Sequence, residues 1–312
     1  MNDSGRFPWR WVILSAVAVL LALPFRAWPA EQDELRRESV QEYPLTAEGG
    51  RISLENEIGR VSVRTWEESR VRIKAVKILD LSQLKGFEDP PAESFLDQVS
   101  ILCESDSNSL KIRTDIPDLE LKARSRGVLS ACKMFYGLFK GDCNKLPLRI
   151  EYELTVPRHC DLKIKCDIGG IDVEAVEGRL SLESDIGSVQ VRSTSGDLFS
   201  RLSMGRISLK DIAGSVDAKS DLGQVEAELT RLERSDRVCL ESGMGEVRIA
   251  LPGSTGADLS AESGMGEVSL DFGDSFKGEN DWNSLHGKLN AGGAEITLKT
   301  GMGAIRIDRK DR

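Results

Sequence analysis

The heptad ESGMGEV occurs twice, at residues 241–247 and 262–268. A glycine-rich turn ahead of an apolar run can cradle a phosphate on backbone N–H groups, or it can close a structural corner. A phosphate loop continues into a helix whose N-terminus faces the anion, and it carries a Lys. Here a strand pattern follows and no GK[ST] occurs, so the heptad reads as a corner. Glycines at a nine-residue period resemble those of calcium-binding nonapeptide rolls, and Asp167, Asp185 and Asp221 each stand two places before one of them. Calcium needs six or more oxygens and the roll needs GGxGxD, which is absent, so the expectation is an Asx-type turn capping backbone N–H groups. Two histidines, His159 and His286, and the lack of a CxxC give no metal or redox centre, and no cofactor is expected.

The elements that position these residues come from a repeat. From residue 169 onward, glycines fall every nine residues at Gly169, Gly178, Gly187, Gly196, Gly205, Gly214 and Gly223. Alternate members resemble one another, so the unit is eighteen residues long. Ile168, Ile186, Met204 and Leu222 precede the odd-numbered glycines as inward apolar residues. Two and four places after them stand pairs such as Ile171 with Val173 and Val189 with Val191. That is period two, the mark of a strand with one buried face. The even-numbered glycines open a second strand, as in Leu180 and Leu182. The predicted fold is therefore all-β: a parallel β-solenoid with coils of about eighteen residues and two short strands per coil. Right-handedness is expected from the general crossover preference. The module recurs with Gly59, Gly245, Gly266 and Gly303, so eleven glycines are assigned as structural turns.

The stretches RIEYELTVPRHCDLKIKCDIGGIDVEAVEGRLSLES (149–184) and GKLNAGGAEITLKTGMGAIRI (287–307) resemble the bacterial exported Toastrack family of adhesin-like β-solenoids. The likeness extends over about 45–80 and 147–307. It implies an envelope-exposed scaffold, linked in some members to adhesion and in others to envelope stress. It implies no catalytic residues, because the family carries no such motif.

Outside the repeat, residues 1–30 read as a signal peptide, with Arg6 and Arg10 ahead of an apolar run at 11–23 and cleavage expected after Ala30. The alternative is an uncleaved anchor, the only route to membrane contact. The first 30 residues hold three Arg against one Asp, so the remainder of this −9 chain carries −11, which argues against a nucleic-acid role. Residues 31–79 are assigned to the first solenoid strands, 80–147 to an α/β insert, and 148–312 to the repeat domain. In the insert, a proline-started helix is expected over 90–99 and a hairpin over 99–115. Its aromatic patch, Met134, Phe135, Tyr136 and Phe139, is the candidate partner-contact surface, with a disulfide expected between the flanking Cys132 and Cys143. Cys160 and Cys166 suit side-by-side burial, and Cys103 and Cys239 stay unassigned.

The function these features favour is a non-enzymatic exported envelope scaffold or adhesin that binds an envelope protein or a glycan. Two alternatives stand beside it. One is a carbohydrate-active β-helix enzyme using stacked carboxylates such as Asp167 and Asp185. The other is the extracytoplasmic subunit of an envelope-stress sensor.

Overall fold

Alternation of apolar and polar residues yields strands with one dry face, and such strands fill most of the computed structural model, which describes residues 34–45, 49–81, 92–116 and 148–310. The signal segment, the Cys132–Cys143 bridge and the Met134, Phe135, Tyr136 and Phe139 patch lie outside the described residues. The chain begins with β1 (Glu34–Pro44), β2 (Gly50–Ile58), β3 (Val61–Trp66) and β4 (Arg70–Asp80). Helix α1 (Ala92–Gln98), the hairpin of β5 (Ser100–Ser105) and β6 (Ser109–Asp115), and β7 (Leu148–Pro157) follow. The regular repeat forms β8 (Cys160–Glu174), β9 (Leu180–Arg192), β10 (Leu198–Ala213) and β11 (Val216–Arg231). Then come β12 (Arg237–Met244), β13 (Val247–Pro252), β14 (Ala257–Met265), β15 (Val268–Leu270), β16 (Phe276–Asn280), β17 (Ser284–Leu289), β18 (Ala294–Met302) and β19 (Ile305–Lys310). All belong to one mixed sheet that winds as a solenoid-like stack.

Strands β8 to β11 pair in parallel and in register, with Gly169 beside Gly187, Gly187 beside Gly205, and Gly205 beside Gly223. Pairing continues through each of these glycines. In β8–β11 the two short strands expected per coil are therefore one bent strand, whereas β2/β3, β12/β13, β14/β15 and β18/β19 remain split at the corner. A bent strand keeps its ladder because glycine absorbs the turn without a side chain. At Gly187 φ is +147°, and a Cβ there would collide with the Gly169 carbonyl of the neighbouring coil. Each regular coil also turns at a position carrying no glycine: Ala175, Ser193 and Asp211, eighteen apart, all have left-handed φ of 53–62°.

The corner changes which apolar residues are inside. Ile58, Ile168 and Ile186 are buried before their glycines, and Met204 and Leu222 are half-buried. Met244, Met302 and Met265 are 44%, 42% and 64% exposed, which corrects their expected inward placement. Residues three and five before the glycine point inward, and so do those two and four after it. The residue just before the glycine thus stands at the apex of the bend. The interior is one hydrophobic cluster, with Leu182, Val189, Val191, Leu240 and Ile249 fully enclosed.

Coil order departs from chain order at both ends. The coil of β18/β19 pairs with β12/β13 on one side and with β14/β15 on the other, so the last coil in sequence is intercalated between two earlier ones. At the opposite end, β2/β3 sit against β8 while β6 and β7 lie one rung farther out. Antiparallel strands finish the stack: β1 and β4 beyond β7, β5 beyond β6, and β17 with β16 beyond β14. Helix α1 buries Phe95 and Leu96, followed by buried Val99, and packs on β4 and β1.

Candidate functional site

Four residues before each corner glycine, side chains point outward and stack rung over rung. In stack order the row reads Glu55, Lys165, Glu183, Arg201, Lys219, Glu241, Lys299 and Glu262, and Arg113 of β6 extends it by pairing beyond Glu55. Charges alternate along it with one fault, Arg201 beside Lys219. That fault is relieved because Arg201 turns to Asp217, donating from both terminal nitrogens at 2.8 and 3.1 Å. The pair raises the Arg201 pKa, chiefly through these hydrogen bonds. The other face of the guanidinium covers the Phe199 ring at 4.1 Å. Farther along, Lys219 Nζ lies 3.3 Å from Glu241, and His286 Nε2 lies 3.6 Å from Glu262.

Between this row and the residues two before each glycine runs an open trough, parallel to the stack. Its two stretches, about 470 and 730 Å³, share Lys219 and Asp221 as lining residues. In the narrower stretch the second row is Asp167, Asp185, Ser203 and Asp221, and Lys165 Nζ lies 4.0 Å from Asp167. In the wider stretch the corresponding residues are Gly243, Gly301 and Gly264, so the floor is bare backbone. Asp221 lines the trough; backbone N–H groups are capped elsewhere by Asp161, whose Oδ1 accepts from Arg179 N–H at 2.9 Å, and by Asp106, which accepts from Asn108 and Ser109 N–H.

The backbone beneath is fixed by a second, buried row three before the glycine. Cys166 donates to the Gly59 carbonyl, Ser242 to Gly223, Thr300 to Gly245 and Ser263 to Gly303, at 2.8–3.3 Å. Each bond ties one coil to the preceding member of the stack. Ser184 and Ser220 occupy the same row, but their hydroxyls have no partner. Burial, then Glu241, pushes the Cys239 thiol beside the trough up to about 11, so it stays protonated at neutral pH. Burial likewise pushes Cys160 up to about 12. Among the described residues, Cys103, Cys160 and Cys239 carry free thiols.

The corner glycines assigned from sequence form two columns. Gly59, Gly169, Gly187, Gly205, Gly223, Gly245, Gly266 and Gly303 stand at the bends beside the trough, and Gly178, Gly196 and Gly214 stand at the turns between coils. All eleven have positive φ. The alternating charged row was not singled out from sequence, although aligning the units on their glycines puts Lys165, Glu183, Arg201 and Lys219 in one column. The place of Lys299 between Glu241 and Glu262 has no such signal, because it depends on coil order.

The Toastrack DUF4097 family profile matches residues 153–308, half of the chain. The chain belongs to the Toastrack family. The matched region of this Toastrack protein runs from β7 to β19 and holds the whole trough. Among solved structures, an adhesion-protein candidate from Clostridium sporogenes is 16% identical with a TM-score of 0.38, covering 88% of this chain and 100% of its own. A candidate adhesin from Bacteroides fragilis is 8% identical with a TM-score of 0.33, covering 87% and 97%. A candidate lipid-binding protein from Parabacteroides distasonis is 10% identical with a TM-score of 0.27, covering 88% and 97%. No curated protein matches the chain.

Proposed function

We propose that this Toastrack protein is an exported, non-catalytic scaffold that binds a cell-envelope protein or glycan along its trough. The observation that carries the reading is the trough itself: a continuous, solvent-open row of paired charges and amides on a stack whose backbone is locked coil to coil. Rigid placement of many polar groups favours recognition, because little conformational entropy is lost on binding. The mixed charge disfavours nucleic acid, and the signal-like residues 1–30 support export. Catalysis is the weaker reading: the nearby thiol of Cys239 stays protonated at neutral pH and is a poor nucleophile.

Affinity capture from the host's envelope fraction tests the proposal. The full chain is compared with Lys219→Ser/Glu262→Ser and with a deletion of residues 118–146. Loss of the captured partner with the double substitution places binding in the trough. Loss only with the deletion moves it to the Met134, Phe135, Tyr136 and Phe139 patch. Turnover of a polysaccharide that depends on Asp167 or Asp185 would replace the proposal with the enzymatic alternative.

A further inference from the structure

Among the described residues, the two most exposed aromatic side chains are Phe199, 40% exposed, and Trp282, 68% exposed. Neither lines the trough itself, but each stands close in the chain to a residue that does. Phe199 lies on β10 on the outward face, two residues before the trough-lining Arg201, whose guanidinium covers its ring. Trp282 immediately precedes Asn283, which lines the far end. Neither sits on a loose segment. The β16–β17 turn carrying Trp282 is clamped to the last corner: Val268 N–H donates to the Trp282 carbonyl at 2.9 Å, Ser263 N–H to the Asn283 carbonyl at 2.9 Å, and Asn283 Nδ2 to the Ser263 carbonyl at 3.1 Å. Five rungs separate the two aromatics, about 24 Å at the strand spacing of a sheet.

The lining between them is balanced. Arg201, Lys219 and Lys299 face Asp221, Glu241 and Glu262, three cations against three carboxylates. A polyanion would meet carboxylates on three of these five rungs, and a polycation would meet cations on three of them. A neutral chain rich in hydroxyls meets both donors and acceptors along it. The floor at Gly243, Gly301 and Gly264 lets a flat ring approach the backbone, and rigid aromatic rings at the two ends suit stacking on the C–H faces of sugars. A protein interface normally centres on a buried apolar cluster, whereas this trough has a polar centre and aromatic ends.

We infer that the trough binds a neutral, linear oligosaccharide lying along the stack, with sugar rings stacked on Trp282 and against the part of the Phe199 ring that Arg201 leaves exposed. The inference rests on the reading of the trough as a binding surface and names its ligand class. The test is calorimetry and saturation-transfer NMR on the full chain with cellohexaose, xylohexaose and mannohexaose, using an oligogalacturonate as the polyanionic control. At least one neutral hexasaccharide should bind, and Phe199→Ala and Trp282→Ala should each weaken it at least tenfold without lowering the melting temperature. The inference fails if no neutral hexasaccharide binds at millimolar concentration, if both substitutions leave binding unchanged, or if the oligogalacturonate binds more tightly. Capture of an envelope protein that both substitutions leave intact would sink the glycan assignment while sparing the scaffold function. Loss of both saccharide binding and capture would sink the two together.

Discussion

At the residue scale, the corners set the largest local energies. Gly187→Ala must place a methyl group against the Gly169 carbonyl at a φ of +147°, so a loss of roughly 3 kcal/mol or more is expected in urea unfolding. The third corner works in the opposite direction. Ala175 and Ser193 hold left-handed φ values of 62° and 53°, so Ala175→Gly and Ser193→Gly should each stabilise by about 0.5–1 kcal/mol. The buried hydroxyl row splits in the same way. Ser242→Ala removes the 2.8 Å bond to the Gly223 carbonyl and should cost about 1 kcal/mol. Ser220→Ala removes a buried hydroxyl without a partner and should be neutral or stabilising in the same measurement.

At the element scale, the intercalated coil keeps the charged row alternating. Stacked in chain order, the two ESGMGEV coils would put Glu241 beside Glu262. With β18 between them, each carboxylate faces Lys299. Lys299→Glu therefore turns two favourable cross-strand neighbours into two repulsive ones. The expected cost is about 1–2 kcal/mol, reduced by salt and partly recovered in the Lys299→Glu/Glu241→Lys double variant. The β1 edge depends on charge as well. Hydrogen bonds from Arg149 and Arg36 hold the Glu34 carboxyl below its ordinary value of 4.5, with the Arg149 bond at 2.7 Å. Because the folded value is the depressed one, this stabilisation is present above pH 4.5 and is lost as pH falls through the folded value. Glu34→Gln should therefore lower the melting temperature at pH 7, and the difference from wild type should vanish in acid.

At the scale of the whole molecule, a stack in which each coil touches only its neighbours tolerates removal of one whole unit. Deleting residues 187–204 joins Ile186 to Gly205 and keeps glycine over glycine. It also removes the single fault in the charged row, leaving Glu183 beside Lys219. The variant should unfold cooperatively, with a smaller denaturant slope because less surface is exposed. Deleting residues 187–195 preserves the nine-residue glycine spacing but exchanges the two halves of a coil. It should fail to give a cooperative transition, and circular dichroism with urea titration separates the two outcomes. The ends of the stack depend on the antiparallel strands β5, β1 and β16, whose charged residues, among them Glu104, Arg36, Lys277 and Glu279, blunt edges that would otherwise pair with another chain.

The repeat was legible in the sequence because backbone geometry repeats with it. A glycine every nine residues and apolar residues at period two determine where the chain bends and which face is dry, and both are local properties of a strand. The same pattern placed the corner at Gly59, Gly245, Gly266 and Gly303 far from the regular run. Three things were decided only by the tertiary structure. The exposure of Met244, Met265 and Met302 follows from the direction of the bend at each glycine, which residue type does not encode. The position of the final coil between two earlier ones depends on pairing between strands about forty and sixty residues apart in the chain, where cross-strand charges and hydrogen bonds match. The wider stretch of the trough exists only once that order is set, because Glu241, Lys299 and Glu262 become neighbours through stacking, not through sequence.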